Sequence, residues 1–135
     1  MDNASMLDRI QSILTKLARE HEVKMEGAWY GICREKTLKV WNYFIFNRLK
    51  TTKNNTGTKT DLQTFYEVHI IHEGYIPEGY VRDVIEALLA TDPESPGTKL
   101  KLTNDDIVYT YTTKQNTNML VEIATITLYH PEKRC

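Results

Sequence analysis

Within His69-Ile70-Ile71-His72-Glu73 lie two imidazoles and a carboxylate, side chains of the types that bind zinc or activate water. The spacing works against both uses. Residues three apart on a strand point to opposite faces, so His69 and His72 cannot meet at one ion. The zinc-protease arrangement needs histidines four apart on a helix, and that pattern is missing here. Cys33 has no local signature of a nucleophile and reads as a small apolar side chain, while Cys135 sits on a terminal tail expected to fray. Gly27-x-x-x-Gly31 lacks the lysine and hydroxyl of a phosphate loop. Ser5, Ser12 and Ser95 stand in no Gly-x-Ser-x-Gly elbow. Asp105-Asp106 follows Asn104 and reads as a solvated turn. No catalytic, cofactor-binding or metal residues are expected, and the chain is not expected to be an enzyme.

A polar stretch is the feature left to explain. Lys50 to Lys59 contains no hydrophobic residue, and Arg48, Lys50, Lys53 and Lys59 meet no acid before Asp61. Such a segment reads as a flexible polar hairpin loop at about 50–60 that orders on contact with a partner. The residues expected to carry that interaction are Arg48, Lys50, Lys53, Asn54, Asn55 and Lys59.

The elements that must hold this loop follow from periodicity. Met6, Leu7, Ile10, Ile13, Leu14 and Leu17 mark one helical stripe, with Asn3 or Ser5 as cap and Asp8 in the first turn. A short strand is expected around Trp29 to Cys33. The aromatic and β-branched run from Val40 to Phe46 predicts a strand over about 39–49, and Phe65 to Ile71 a second over about 60–72. Together they form a long antiparallel hairpin, with Asn55-Thr56-Gly57 supplying the turn chemistry. Tyr80, Val81, Val84, Ile85, Leu88 and Leu89 mark a second helix, ended by Pro93, Pro96 and Gly97. Strands over about 107–113 and 119–130, joined by a turn over 114–118, close the chain. In the last strand both faces are largely apolar, so both are expected to be covered, by helices or by a neighbouring subunit. The fold class is α+β: an antiparallel (mixed) sheet of about four to five strands with two helices packed on it, in the order α-(β)-β-β-α-β-β. With no repeat or linker in view, residues 1–135 are expected to form a single domain.

Seventeen basic residues against 18 acidic ones leave a formal charge of −1, without the basic surplus of a dedicated nucleic-acid binder. No apolar stretch approaches the roughly 20 residues that cross a bilayer, and no secretory signal is expected. Two cysteines are too few for a disulfide scaffold, which points to free thiols in a reducing compartment.

In length and element order the chain resembles the tail-terminator (tail-completion, tail-to-head joining) proteins of long-tailed bacteriophages. The likeness lies in the N-terminal amphipathic helix and the aromatic strand Trp41-Asn42-Tyr43-Phe44-Ile45-Phe46. It continues through the long loop, the strand Thr64-Phe65-Tyr66-Glu67-Val68-His69-Ile70, the helix from Tyr80 to Leu89, and terminal strands ending in Thr125-Ile126-Thr127-Leu128-Tyr129. The resemblance implies a structural virion protein without chemistry, assembled in the host cytoplasm and sited in the tail or neck region. It implies self-association into a hexameric ring that caps the tail tube, stops its polymerisation and joins it to the head-completion or connector protein. The expected partners are therefore further copies of the chain, the tail tube protein and the connector, with no membrane and no specific nucleic-acid binding. The residues alone also fit a small monomeric regulatory or inhibitor module acting on a host protein through the same hairpin.

Overall fold

The computed structural model describes residues 5–33, 38–57, 59–90 and 99–130. Asn3, Pro93, Pro96, Gly97 and Cys135, each given a role above, lie outside them.

The chain opens with α1 (Met6–Glu20), and Ser5 is its cap. The Ser5 hydroxyl accepts from the Asp8 N–H, and the Asp8 carboxylate accepts in return from the Ser5 N–H, closing a capping box. The strand β1 (Ala28–Tyr30) follows, then β2 (Tyr43–Thr56) and β3 (Lys59–Glu73). After α2 (Tyr80–Leu89) come β4 (Lys101–Leu102), β5 (Val108–Thr113) and β6 (Leu120–Tyr129). One mixed sheet of six strands runs in the order β1-β2-β3-β6, with β4 and β5 both on the far edge of β6. Among the described strands only the β1–β2 pair is parallel. The α+β class and the helix positions match expectation, while the strand count exceeds the expected four to five. The extra strand is β4, two residues long and without a periodicity to read.

Both helices lie on one face of the sheet. Ile10, Leu14 and Ala18 from α1 and Tyr80, Val84 and Leu88 from α2 are buried against Phe44, Phe46, Val68, Ile70, Ala124, Ile126 and Leu128. Burial at this scale, worth roughly 1.5–3 kcal/mol for each large apolar side chain, fixes the pairing register. A one-residue slip of β6 would turn Ala124, Ile126 and Leu128 out of the core. His21 Nε2 lies 2.8 Å from an Asp83 carboxylate oxygen, and an Arg9 guanidinium N–H donates to Ala90 O at 3.0 Å, tying the helices together.

Two boundaries differ from expectation. The aromatic run enters the sheet at Tyr43, because the residues just before it have other partners. The Trp41 N–H donates to the Glu73 carboxylate at 2.7 Å, and Asn42 Oδ1 accepts from the Glu73 N–H at 2.9 Å. The second correction concerns the expected loop at 50–60. It is paired strand, in continuous register from Lys50↔Phe65 to Thr56↔Lys59. Gly57 takes φ of 63°, the left-handed conformation that short hairpin connections need. Thr51 and Thr64 hydroxyls meet across the strands at 3.0 Å, and the Thr60 hydroxyl donates to Asn55 Oδ1 at 2.8 Å. Polar β-branched residues satisfy a two-stranded ribbon as they would a loop, so the absence of apolar residues does not imply the absence of a strand.

Candidate interaction surfaces

The pairing of β3 with β6 ends at Phe65↔Tyr129, and that of β1 with β2 at Tyr30↔Phe46. Beyond those points β2 and β3 pair only with each other among the described residues. They form a two-stranded arm, about 20 Å long at the usual strand rise. A register irregularity between Arg48 and Lys50 sits at its root. Such bulges bend a strand and raise its twist.

The arm distributes its candidate residues rather than gathering them. Arg48 stands opposite Tyr66 on the helix side of the sheet. The Lys50 ammonium lies 5.2 Å from the centroid of the Phe65 ring, which in turn packs 5.8 Å from Tyr129. Lys53 is exposed opposite Leu62, itself 51% exposed, and Asn54 stands opposite Asp61. Asn55 is engaged by Thr60, and Lys59 follows the turn as partner of Thr56. Cross-strand partners share a face and neighbours alternate, so Lys50 and Asn54 lie on one face and Lys53 and Asn55 on the other. The structure therefore does not assemble the basic residues into a single patch.

Opposite the helices, the sheet presents a second surface that the sequence did not single out. Ile45, Ile71 and Val121 form a small buried cluster there, with Trp29, Cys33, Trp41, Tyr43 and Ile123 packed around it. The Trp29 and Tyr43 rings meet edge to face at 5.8 Å. Gly27 leaves room for the folded-back Trp29 ring, since a Cβ there would stand 3.0 Å from it. Burial, with Cys33 adding to it, pushes the Tyr43 phenol up. A shallow groove of about 350 Å³ runs across this face between Trp41, Tyr43, Ile71, Thr110 and Ile123. The signal for this surface was the apolar character of both faces of β6. Helices cover one of them, and the described residues cover the other only in part.

His69 lies in this groove, and His72 lies on the other face of the sheet, opposite Glu122. The Asn47 amide donates to Glu67 Oε1 at 3.0 Å, leaving Asn47 Oδ1 3.1 Å from His69 Nε2. That oxygen can only accept, so Nε2 carries the proton and Nδ1 accepts from the Thr125 hydroxyl at 2.9 Å. Burial holds the imidazole below its ordinary value, against the opposing pull of Glu67 3.6 Å away. With both ring nitrogens engaged, His69 is a neutral structural link between β2, β3 and β6. Among the described residues, no three His, Cys, Asp or Glu side chains gather as a metal site.

Glu73 supplies the other polar anchor on this side. Its carboxylate takes the Trp41 N–H and the Lys114 ammonium, the latter at 2.8 Å, and Lys114 also donates to Lys39 O. Desolvation pushes the Glu73 carboxyl up, but the hydrogen bonds from Lys114 and Trp41 outweigh it, and the net shift is downward. The segment before β2 is thereby latched to the turn after β5.

The last surface is an edge. All six residues of β5 are exposed, including Tyr109 at 46% and Tyr111 at 57%. The Tyr111 hydroxyl donates to the Glu122 carboxylate at 2.8 Å. No charge, proline or glycine occurs from Ile107 to Thr113. Taken together, an arm, an apolar sheet face and an uncharged edge offer contacts for macromolecules. No protein-family model matches the chain, and no curated protein is significantly similar to it.

Proposed function

We propose that this protein is a structural assembly protein of the tail-terminator kind. It associates with further copies of itself into a ring, a hexamer by the resemblance. The ring caps the tail tube, stops its polymerisation and presents the surface on which the head connector docks. The observation that carries the reading is the two-stranded arm, which leaves a sheet whose helices cover one face only. Among the described residues the arm, about 20 Å long, contributes no side chain to the buried core, and a lone two-stranded ribbon is marginal in water. Such a ribbon is stabilised when it lies against another surface. The apolar face around Ile45, Ile71 and Val121 supports the same reading, because partly covered apolar surface favours association. The interior of the sheet is spent on packing, and His69, which lines the groove, has both nitrogens occupied.

The test is solution mass by light scattering, alone and after mixing with purified tail tubes of the phage, with electron micrographs of the products. Rings, or caps on tube ends that halt further growth, are the expected outcome. A protein that stays monomeric at all concentrations and ignores the tubes overturns the proposal and favours a regulatory module acting on a host protein.

A further inference from the structure

Hydrogen-bond alternation identifies which main-chain groups the sheet leaves unpaired among the described residues. The Lys114 N–H donates to Met119 O at 2.9 Å, so on β5 the groups of Val108, Thr110 and Thr112 also turn toward β6. Those of Tyr109, Tyr111 and Thr113 point outward. On β3, the Gly74 N–H donates to Leu120 O at 2.7 Å, so even-numbered residues face β6 and odd-numbered ones face β2. Their partners Lys50, Thr52 and Asn54 therefore turn inward, and the groups of Thr51, Lys53 and Asn55 point outward. Each open edge presents three outward residues over about 14 Å. They lie at opposite ends of the strand order.

We infer that the open β2 edge of the arm in one copy adds as a strand to the open β5 edge of the next copy. The inference rests on the self-association proposed above and names the surfaces it uses. Pairing the two edges satisfies both rows of donors and acceptors at once and gives the marginal ribbon a third strand. Charge favours the same match. Arg48, Lys50 and Lys53 make the arm basic, whereas exposed Asp105 and Asp106 precede the uncharged β5, and Lys114 after it is paired with Glu73. Lys53 at the centre of the arm edge opposes arm-to-arm pairing, where like charges would face each other. Because the two edges differ, the contact is head-to-tail, the kind that forms a ring when its rotation closes.

Two proline variants test the pairing. Tyr109→Pro and Lys53→Pro each remove an outward N–H, so the ladder within the chain keeps its donors. Circular dichroism and urea midpoints verify folding, and sedimentation velocity reads mass. Wild type associates beyond the dimer, and each variant alone associates at least about tenfold more weakly, as expected for an interfacial hydrogen bond lost. Mixed together, they form one-to-one dimers that grow no further, since each retains the edge its partner lacks. Should a proline variant fail to fold, Tyr109→Lys on β5 or Lys53→Glu on the arm, each tested alone, places unfavourable charge at the same edge and weakens association. Dimers of Lys53→Pro alone, or wild-type assembly by both variants, overturn the edge pairing and leave self-association standing. A wild-type chain that remains monomeric overturns both.

Discussion

Replacing Thr51 to Thr64 by an Asn-Gly turn joins Lys50 directly to Phe65, its register partner, and removes the arm without cutting the sheet. Few side-chain interactions go with it, and the main-chain ladder bonds lost are offset by the ordering cost of the residues removed, as in any isolated two-stranded ribbon. The Thr51–Thr64 and Asn55–Thr60 side-chain pairs are exposed, and cross-strand pairs of this kind contribute roughly 0.2–1 kcal/mol each. The Gln63 amide donates to His130 O at 2.5 Å, a hydrogen bond worth about 1 kcal/mol. Against these losses, a connection about sevenfold shorter lowers the closure cost by about 1.7 kcal/mol. The terms nearly cancel, so stability should move by no more than about 1 kcal/mol in either direction. A core truncation such as Ile126→Ala, at a fully buried site, should cost about 2–5 kcal/mol. Urea unfolding followed by tryptophan fluorescence separates the two magnitudes. Assembly should respond in the opposite order, with the armless variant folded but unable to associate. A loss of about 3 kcal/mol or more on removing the arm, the scale of the Ile126→Ala cost, would show that the ribbon belongs to the core and refute this reasoning. Normal assembly by the armless protein would refute the arm's role while leaving the fold argument intact.

Three further predictions concern the body of the domain. Tyr80 is 1% exposed, stacks on Phe44, and has a buried hydroxyl without a hydrogen-bond partner in the described structure. Tyr80→Phe should therefore be neutral or stabilising by about 1 kcal/mol in chemical denaturation, because it removes an unsatisfied polar atom and keeps the ring. The Glu73 carboxyl is held below its ordinary value in the folded state, so its contribution is present above that value and is lost as pH falls through the folded pKa. Lys114→Met removes one of the ligands that lower it, and acid titration of stability should show a smaller loss over that window. Burial likewise keeps His69 neutral below the ordinary histidine value of 6.5, so the unfolded chain takes up that proton first. Stability should then fall as pH drops below 6.5, and His69→Gln should flatten that limb in urea midpoints measured from about pH 7 to pH 5.

Much of the frame was legible from local pattern. Tyr80 to Leu89 was readable as a helix because its apolar residues recur at the helical period, and the same holds for Met6 to Leu17. The strand character of Phe65 to Ile71 and of Val121 to Leu128 was equally plain from β-branched and aromatic residues. The arm was harder to read, since residues 50–56 carry polar side chains that suit a turn, a loop or an exposed ribbon equally well. Only register with residues 59–65 distinguishes these. The His69–Asn47–Thr125 link was hidden for a different reason. Its members come from three strands and meet only once β3 stands between β2 and β6.

By itself, then, the sequence determined the α+β class, both helices and the hairpin, because each follows from periodicity within a window of neighbours. The tertiary structure decided which face of β6 the helices cover, that β4 and β5 share one edge, and that the rows at Thr51–Asn55 and Tyr109–Thr113 remain open among the described residues. Those features depend on which strand lies beside which, and a main-chain donor has the same chemistry in every residue except proline. No side-chain pattern records whether its partner is present.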